Sequence, residues 1–100
     1  MIRHIIMLKL KENAVTPEGK IMAETVRKEL VKLKEKINLI RYLEVGVNLV
    51  SLPHAYDIVL TVDLDSLENL QEYKVHPAHL EFIEFNKNYS VSKVCVDYLY

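Results

Sequence analysis

The stretch LQEYKVHPAHLEF, Leu70 to Phe82, gathers one tyrosine, two histidines and a proline. Histidine and tyrosine are residue types that move protons. Histidine has an unperturbed pKa near neutrality and is the usual base for taking a proton from carbon beside a carbonyl. A tyrosine hydroxyl can donate to the oxyanion that results. A carboxylate behind the imidazole would fix its tautomer and stabilise the imidazolium. His79, Tyr73 and Asp97 supply these three roles by type, which is the constellation an aldol closure needs. His4 shares a strand face with Ile6 and Leu8, so it reaches toward the same cavity between sheet and helices. Each residue also has a structural reading. His79 can be a satisfied buried histidine that ties the second helical region to the last strand through Asp97. Tyr73 can be core, with its hydroxyl bonded to a neighbour. His4 can be structural as well. His76 precedes Pro77 and is expected at a break, capping the next helix or meeting water.

Other chemistries fit less well. His76 and His79 are three residues apart, but the proline displaces His76, and no acid or third histidine stands at ligand spacing. No metal and no cofactor is expected. The single cysteine, Cys95, excludes an internal disulfide framework. It lies in a Val-rich run with no base beside it, so it is expected to be a small buried hydrophobe and not a nucleophile.

The elements that must position these groups follow from periodicity. Residues 2–11 alternate as a strand, with Ile2, His4, Ile6, Leu8 and Leu10 on one face and Ile5 and Met7 on the other. Thr16-Pro17-Glu18 opens a helix over about 17–38, with Met22, Val26, Leu30, Leu33 and Ile37 as its apolar stripe. A second strand, about 41–50, shows Leu43, Val45, Val47 and Leu49 on one face. A third, 56–64, turns Tyr56, Ile58, Leu60, Val62 and Leu64 one way and Asp57, Val59, Thr61 and Asp63 the other. Asp65-Ser66 starts a second helical region with Leu67, Leu70 and Tyr73 inward. Pro77 interrupts it and starts a new helix that turns Leu80, Ile83 and Phe82 inward. The last strand, about 90–100, alternates Val94, Val96, Tyr98 and Tyr100 against Lys93, Cys95, Asp97 and Leu99.

The order β-α-β-β-α-β is that of a ferredoxin-like α+β fold: a four-stranded antiparallel sheet with two helices on one face. The chain of 100 residues is expected to form one domain over residues 1–100. A chain this short buries only about two-thirds of its extended surface, so a partner subunit would help. The other sheet face carries Ile5, Met7, Val59, Val94 and Val96, an apolar patch of the kind that marks an interface. A homodimer through that outer face is the expected partner. The net charge of -1, with 13 basic and 14 acidic residues spread along the chain, leaves no basic patch for nucleic acid. No apolar run approaches the ~20 residues of a membrane span, and the N-terminus alternates like a strand instead of a signal peptide. The expected location is the cytoplasm.

The opening MIRHIIMLKLK, the central LQEYKVHPAHLEF and the closing VCVDYLY together resemble the stress-responsive α/β-barrel domain (Dabb) family. The resemblance covers nearly the whole chain. It implies a dimeric α+β barrel formed between the sheets of two ferredoxin-like subunits. In motif the chain is also similar to the plant polyketide cyclases of the olivetolic acid type, which close a linear tetraketide by an intramolecular aldol step. That similarity places the catalytic tyrosine on Tyr73, the catalytic histidine on His79, the strand-one histidine on His4, and the aspartate supporting the catalytic histidine on Asp97. A further pocket histidine of that cyclase is replaced here by Ile58. Three function classes follow: a dimeric domain that binds a small apolar ligand or serves a stress-related role, a cofactor-independent cyclase or lyase, and, by fold analogy, a cofactor-free monooxygenase.

Overall fold

The computed structural model describes residues 1–100. Four strands, β1 (Ile2–Leu10), β2 (Tyr42–Val47), β3 (Ile58–Leu64) and β4 (Ser90–Leu99), form one antiparallel sheet in the order β2-β3-β1-β4. Helix α1 (Pro17–Lys36) joins β1 to β2, and α2 (Leu67–Val75) and α3 (Pro77–Asn86) join β3 to β4. The ferredoxin-like expectation is met, with the second helical region split in two at Pro77. No helix is long and apolar enough to cross a membrane.

Alternation decides which sheet face meets the helices. Ile2, His4, Leu8 and Leu10 of β1 and Ile58, Leu60, Val62 and Leu64 of β3 are buried. Val26, Leu30 and Leu33 of α1 close over them, with Ile37 just past the helix end. The opposite face stays open. Met7 is 43% and Val96 53% exposed, and they adjoin Ile5, Val59 and Val94 through the strand register.

Local chemistry fixes the helix ends. The Thr16 hydroxyl accepts the Gly19 N–H at 3.0 Å, Pro17 occupies the first helical position, and Glu18 and Lys34/Lys36 complement the helix dipole. Gly19 is required by space: a Cβ there would lie 1.7 Å from the Asn13 carbonyl oxygen. At Pro77, His76 adopts an extended backbone and serves both helices. It is the last cap of α2, and its Nδ1 accepts the Ala78 N–H at 3.1 Å to open α3. The capping role expected for His76 is observed.

Several expected positions differ. Tyr56 lies outside β3; its hydroxyl meets Ser92 Oγ at 3.3 Å, and its ring lies under Lys9. Asp57 is not on the outer face. Its buried carboxylate accepts the backbone N–H groups of Leu10 (2.8 Å) and Ala14 (2.9 Å), donors that the turn after β1 leaves without carbonyl partners. β2 ends at Val47, so Leu49 falls beyond the strand and is exposed. Leu67 is exposed at the start of α2, whose buried residues are Leu70 and Tyr73. Leu80 is 49% exposed: α3 packs on the core through Ala78, Phe82 and Phe85, so Phe82 is inward as expected and Leu80 falls outside that stripe. Cys95 is also exposed. It sits opposite Ile6, on the helix-facing side, but β4 is an edge strand packed along β1, and it is left open to solvent at Cys95.

Candidate active site

Between the sheet and the helices lies an open cleft of about 290 Å³. Its walls are mostly apolar: Ile6, Leu8 and Leu60 from the sheet, Leu30 and Leu33 from α1, Phe82 and Ile83 from α3. Tyr73 and His79 also line it. The proline break brings them together. Tyr73 comes from the last turn of α2 and His79 from the first turn of α3, and their ring centroids are 4.6 Å apart.

His79 is oriented by the same break. The end of α2 leaves carbonyls without helical partners, and the Lys74 carbonyl accepts the His79 Nδ1–H at 2.9 Å. That bond assigns the proton of the neutral ring to Nδ1 and leaves the lone pair on Nε2. Burial holds the His79 pKa below its ordinary value; the bond to Lys74 opposes this, and the electrostatic influence of His4, Lys93 and Lys74 adds to it. Burial thus favours the neutral form of the half-buried His79 ring.

Tyr73 is fully buried, and its hydroxyl has no hydrogen-bond partner. Burial pushes its pKa upward, so it stays a neutral donor. A buried hydroxyl without a partner is uncommon and costly.

His4 stands edge-on to Tyr73, ring centroids 5.6 Å apart. It is buried, and its Nδ1 donates to the carboxylate of Asp97, directly opposite it in the β1–β4 register. Its Nε2 has no partner. Asp97 also lies 3.8 Å from the Lys74 ammonium. The expectation that Asp97 supports His79 is thus corrected. Cross-strand pairing gives Asp97 to His4, while His79 takes a carbonyl five residues before it. The four residues still form a continuous row, Asp97–His4–Tyr73–His79, with two unpartnered polar atoms at its centre.

Sequence reasoning passed over Lys93, Lys87 and Asn86, which also line the cleft. The signal for Lys93 was its parity with Cys95 and Asp97 on the last strand. It also passed over a network on the outer face, where the buried Asp63 accepts from Arg3 (2.8 and 2.9 Å) and Tyr100 (2.5 Å). No group of three or more His, Cys, Asp or Glu side chains converges as metal ligands would.

The family model of the stress-responsive A/B barrel domain matches residues 2–99. The chain belongs to this family. Among its relatives, the uncharacterized protein SCO4036 of Streptomyces coelicolor is 32% identical over 81 residues, 79% of each chain. A dimeric, ferredoxin-like protein of unknown function from Bacteroides fragilis superposes with a TM-score of 0.82 at 27% identity, covering 99% of this chain and 95% of that one. A second dimeric ferredoxin-like protein of unknown function, from Thermobifida fusca, gives 0.79 at 26% identity over 99% and 90% of the two chains. This stress-responsive barrel domain thus shares its whole architecture with proteins described as dimers.

Proposed function

We propose that this domain binds a small, largely apolar carbonyl compound in the cleft and moves a proton on it without a cofactor, the chemistry of a cyclase or lyase acting at carbon beside a carbonyl. The observation that carries this reading is the buried, partnerless hydroxyl of Tyr73 against the neutral ring of His79. Removing a proton beside a carbonyl needs a base whose basic form is populated near neutral pH. It also needs a donor that the resting site has not already satisfied. His79 supplies the first and Tyr73 the second. The His4–Asp97 pair packs behind Tyr73 and acts as a positioning element. A dimer through the outer sheet face accompanies this reading, supported by the open apolar patch and by the dimeric relatives.

The test is exchange of the protons beside the carbonyl of octan-2-one in D₂O, followed by NMR. The protein should accelerate exchange over buffer, His79→Ala should abolish the acceleration, and Tyr73→Phe should reduce it. Exchange at the buffer rate with wild-type protein, or an undiminished rate with His79→Ala, overturns the proposal.

A further inference from the structure

The charge of the cleft is one-sided. Lys87, Lys93 and His79 are its ionisable basic side chains, and no aspartate or glutamate lines it. The two lysines are not equivalent. Lys87 is engaged with Glu84 at 2.9 Å, whereas Lys93 has no ion pair. Lys93 sits opposite Leu8, so it rises from the helix-facing side of β4 and forms part of the cleft wall. An unpaired cation at the mouth of an apolar cleft gives the site two ends, a greasy interior and an anion-selective rim. Its charge already reaches inward, being one of those that hold the His79 imidazole neutral.

Size suits a small ligand. At roughly 30 Å³ for each methylene-sized group, the volume a water takes in the liquid, the cleft holds about ten such groups. We propose that the cleft takes a small carboxylate with an apolar body of about ten heavy atoms in all, its carboxylate held by Lys93 and its body lying against Leu30, Leu33, Phe82 and Ile83. This deepens the reading above by naming the ligand class, and it rests on the cleft being the ligand site. The carboxylate stays at the rim and takes no part in proton transfer. It fixes how far the body enters and thereby which carbon lies at Tyr73 and His79.

Three probes of equal length and different charge test it: octanoate, octan-1-ol and octylamine. Binding is measured by calorimetry at low ionic strength, with the imidazole resonances of His79 followed by NMR. Octanoate should bind up to about fivefold more tightly than octanol, and octylamine more weakly than either. Added salt should erode the preference of octanoate over octanol. Neutralising Lys93 with the anion should raise the His79 pKa. Lys93→Glu should weaken octanoate about fivefold or more while leaving octanol nearly unchanged. Lys93 is exposed, so the variant should fold like the parent. Equal affinities for octanoate and octanol, or an octanoate affinity indifferent to Lys93→Glu, overturn the inference. If octanol shifts the His79 resonances in that case, the cleft stands as a ligand site and only the charge assignment falls. If no probe shifts them, both readings fall together.

Discussion

The Tyr73 ring lies against that of His79, centroids 4.6 Å apart, and the Tyr73 hydroxyl is buried with nothing to bond. A polar group left so costs about 1–3 kcal/mol of stability. Tyr73→Phe keeps the ring and deletes the hydroxyl. It should therefore raise stability by about 1 kcal/mol while slowing exchange on octan-2-one. Urea unfolding and the NMR exchange assay on the same samples check both halves. A variant that is less stable than wild type would mean that the hydroxyl has a partner in solution, and its availability as an oxyanion donor would be lost as an argument.

The His79 pKa is depressed from 6.5 mainly by burial, so its neutral form is the one the fold favours. Two pH dependences follow with the same sign. Exchange activity should be level above 6.5 and fall on the acid side, with a midpoint below that ordinary value. Stability behaves alike. Well above 6.5 both folded and unfolded chains carry a neutral ring and His79 contributes no slope. Below it, the unfolded chain takes the proton first, so stability drops until the folded pKa is passed. His79→Gln should remove this part of the slope between pH 7 and 5. An acid limb centred above 6.5 would contradict the burial argument.

Asp97 should matter to stability more than to exchange. Its carboxylate accepts from the buried His4, and Asp97→Ala would leave the His4 Nδ1–H without a partner at a cost of about 1–3 kcal/mol. Replacing His4 by Phe as well should return part of that loss, since no donor then remains unpaired. Chemical denaturation of the two single variants and the double variant measures the coupling. If Asp97→Ala instead silences exchange as fully as His79→Ala without loss of stability, then the carboxylate serves His79 after all.

The pairing of Asp97 shows where sequence reasoning stops. The elements themselves were legible because their burial repeats with the period of the backbone: His4 among Ile2, Leu8 and Leu10 on β1, and Val26, Leu30 and Leu33 on α1. The junction of Tyr73 and His79 was legible because a proline forces the break between them. The choice between two imidazoles for one carboxylate depends on strand register. Parity places His4 and Asp97 on the same side of the sheet, but only the register sets them face to face. Cys95 and Leu80 failed for a different reason. Each was assigned to the interior by its apolar neighbours, yet β4 is an edge strand left open to solvent at Cys95, and α3 packs through Ala78, Phe82 and Phe85 with Leu80 outside. Coverage by a neighbouring element is a tertiary property that local pattern does not carry.

The outer sheet face carries the last prediction. Met7 pairs with Val59 and Val94, so one apolar row crosses three strands, and Ile5 with its partner Val96 lies beside it. Helices cover only the other face, and a strip of this kind left in water marks an interface. Light scattering at micromolar concentration should give twice 11.7 kDa. Val59 lies in the central strands of this face and is half-buried even within one subunit. In a two-fold dimer through this face, Val59→Lys places a charge from each subunit in the interface, and like charges so placed cost several kcal/mol, or about 100-fold or more in the dissociation constant. Lys28 is exposed on α1, on the other side of the sheet, so Lys28→Glu is the matched control and should leave the dimer intact. The helix-facing core is untouched by Val59→Lys, and circular dichroism should therefore report a folded monomer. A wild-type protein that scatters as a monomer at these concentrations ends the barrel argument for this chain, and a Val59→Lys variant that remains fully dimeric moves the interface to another face.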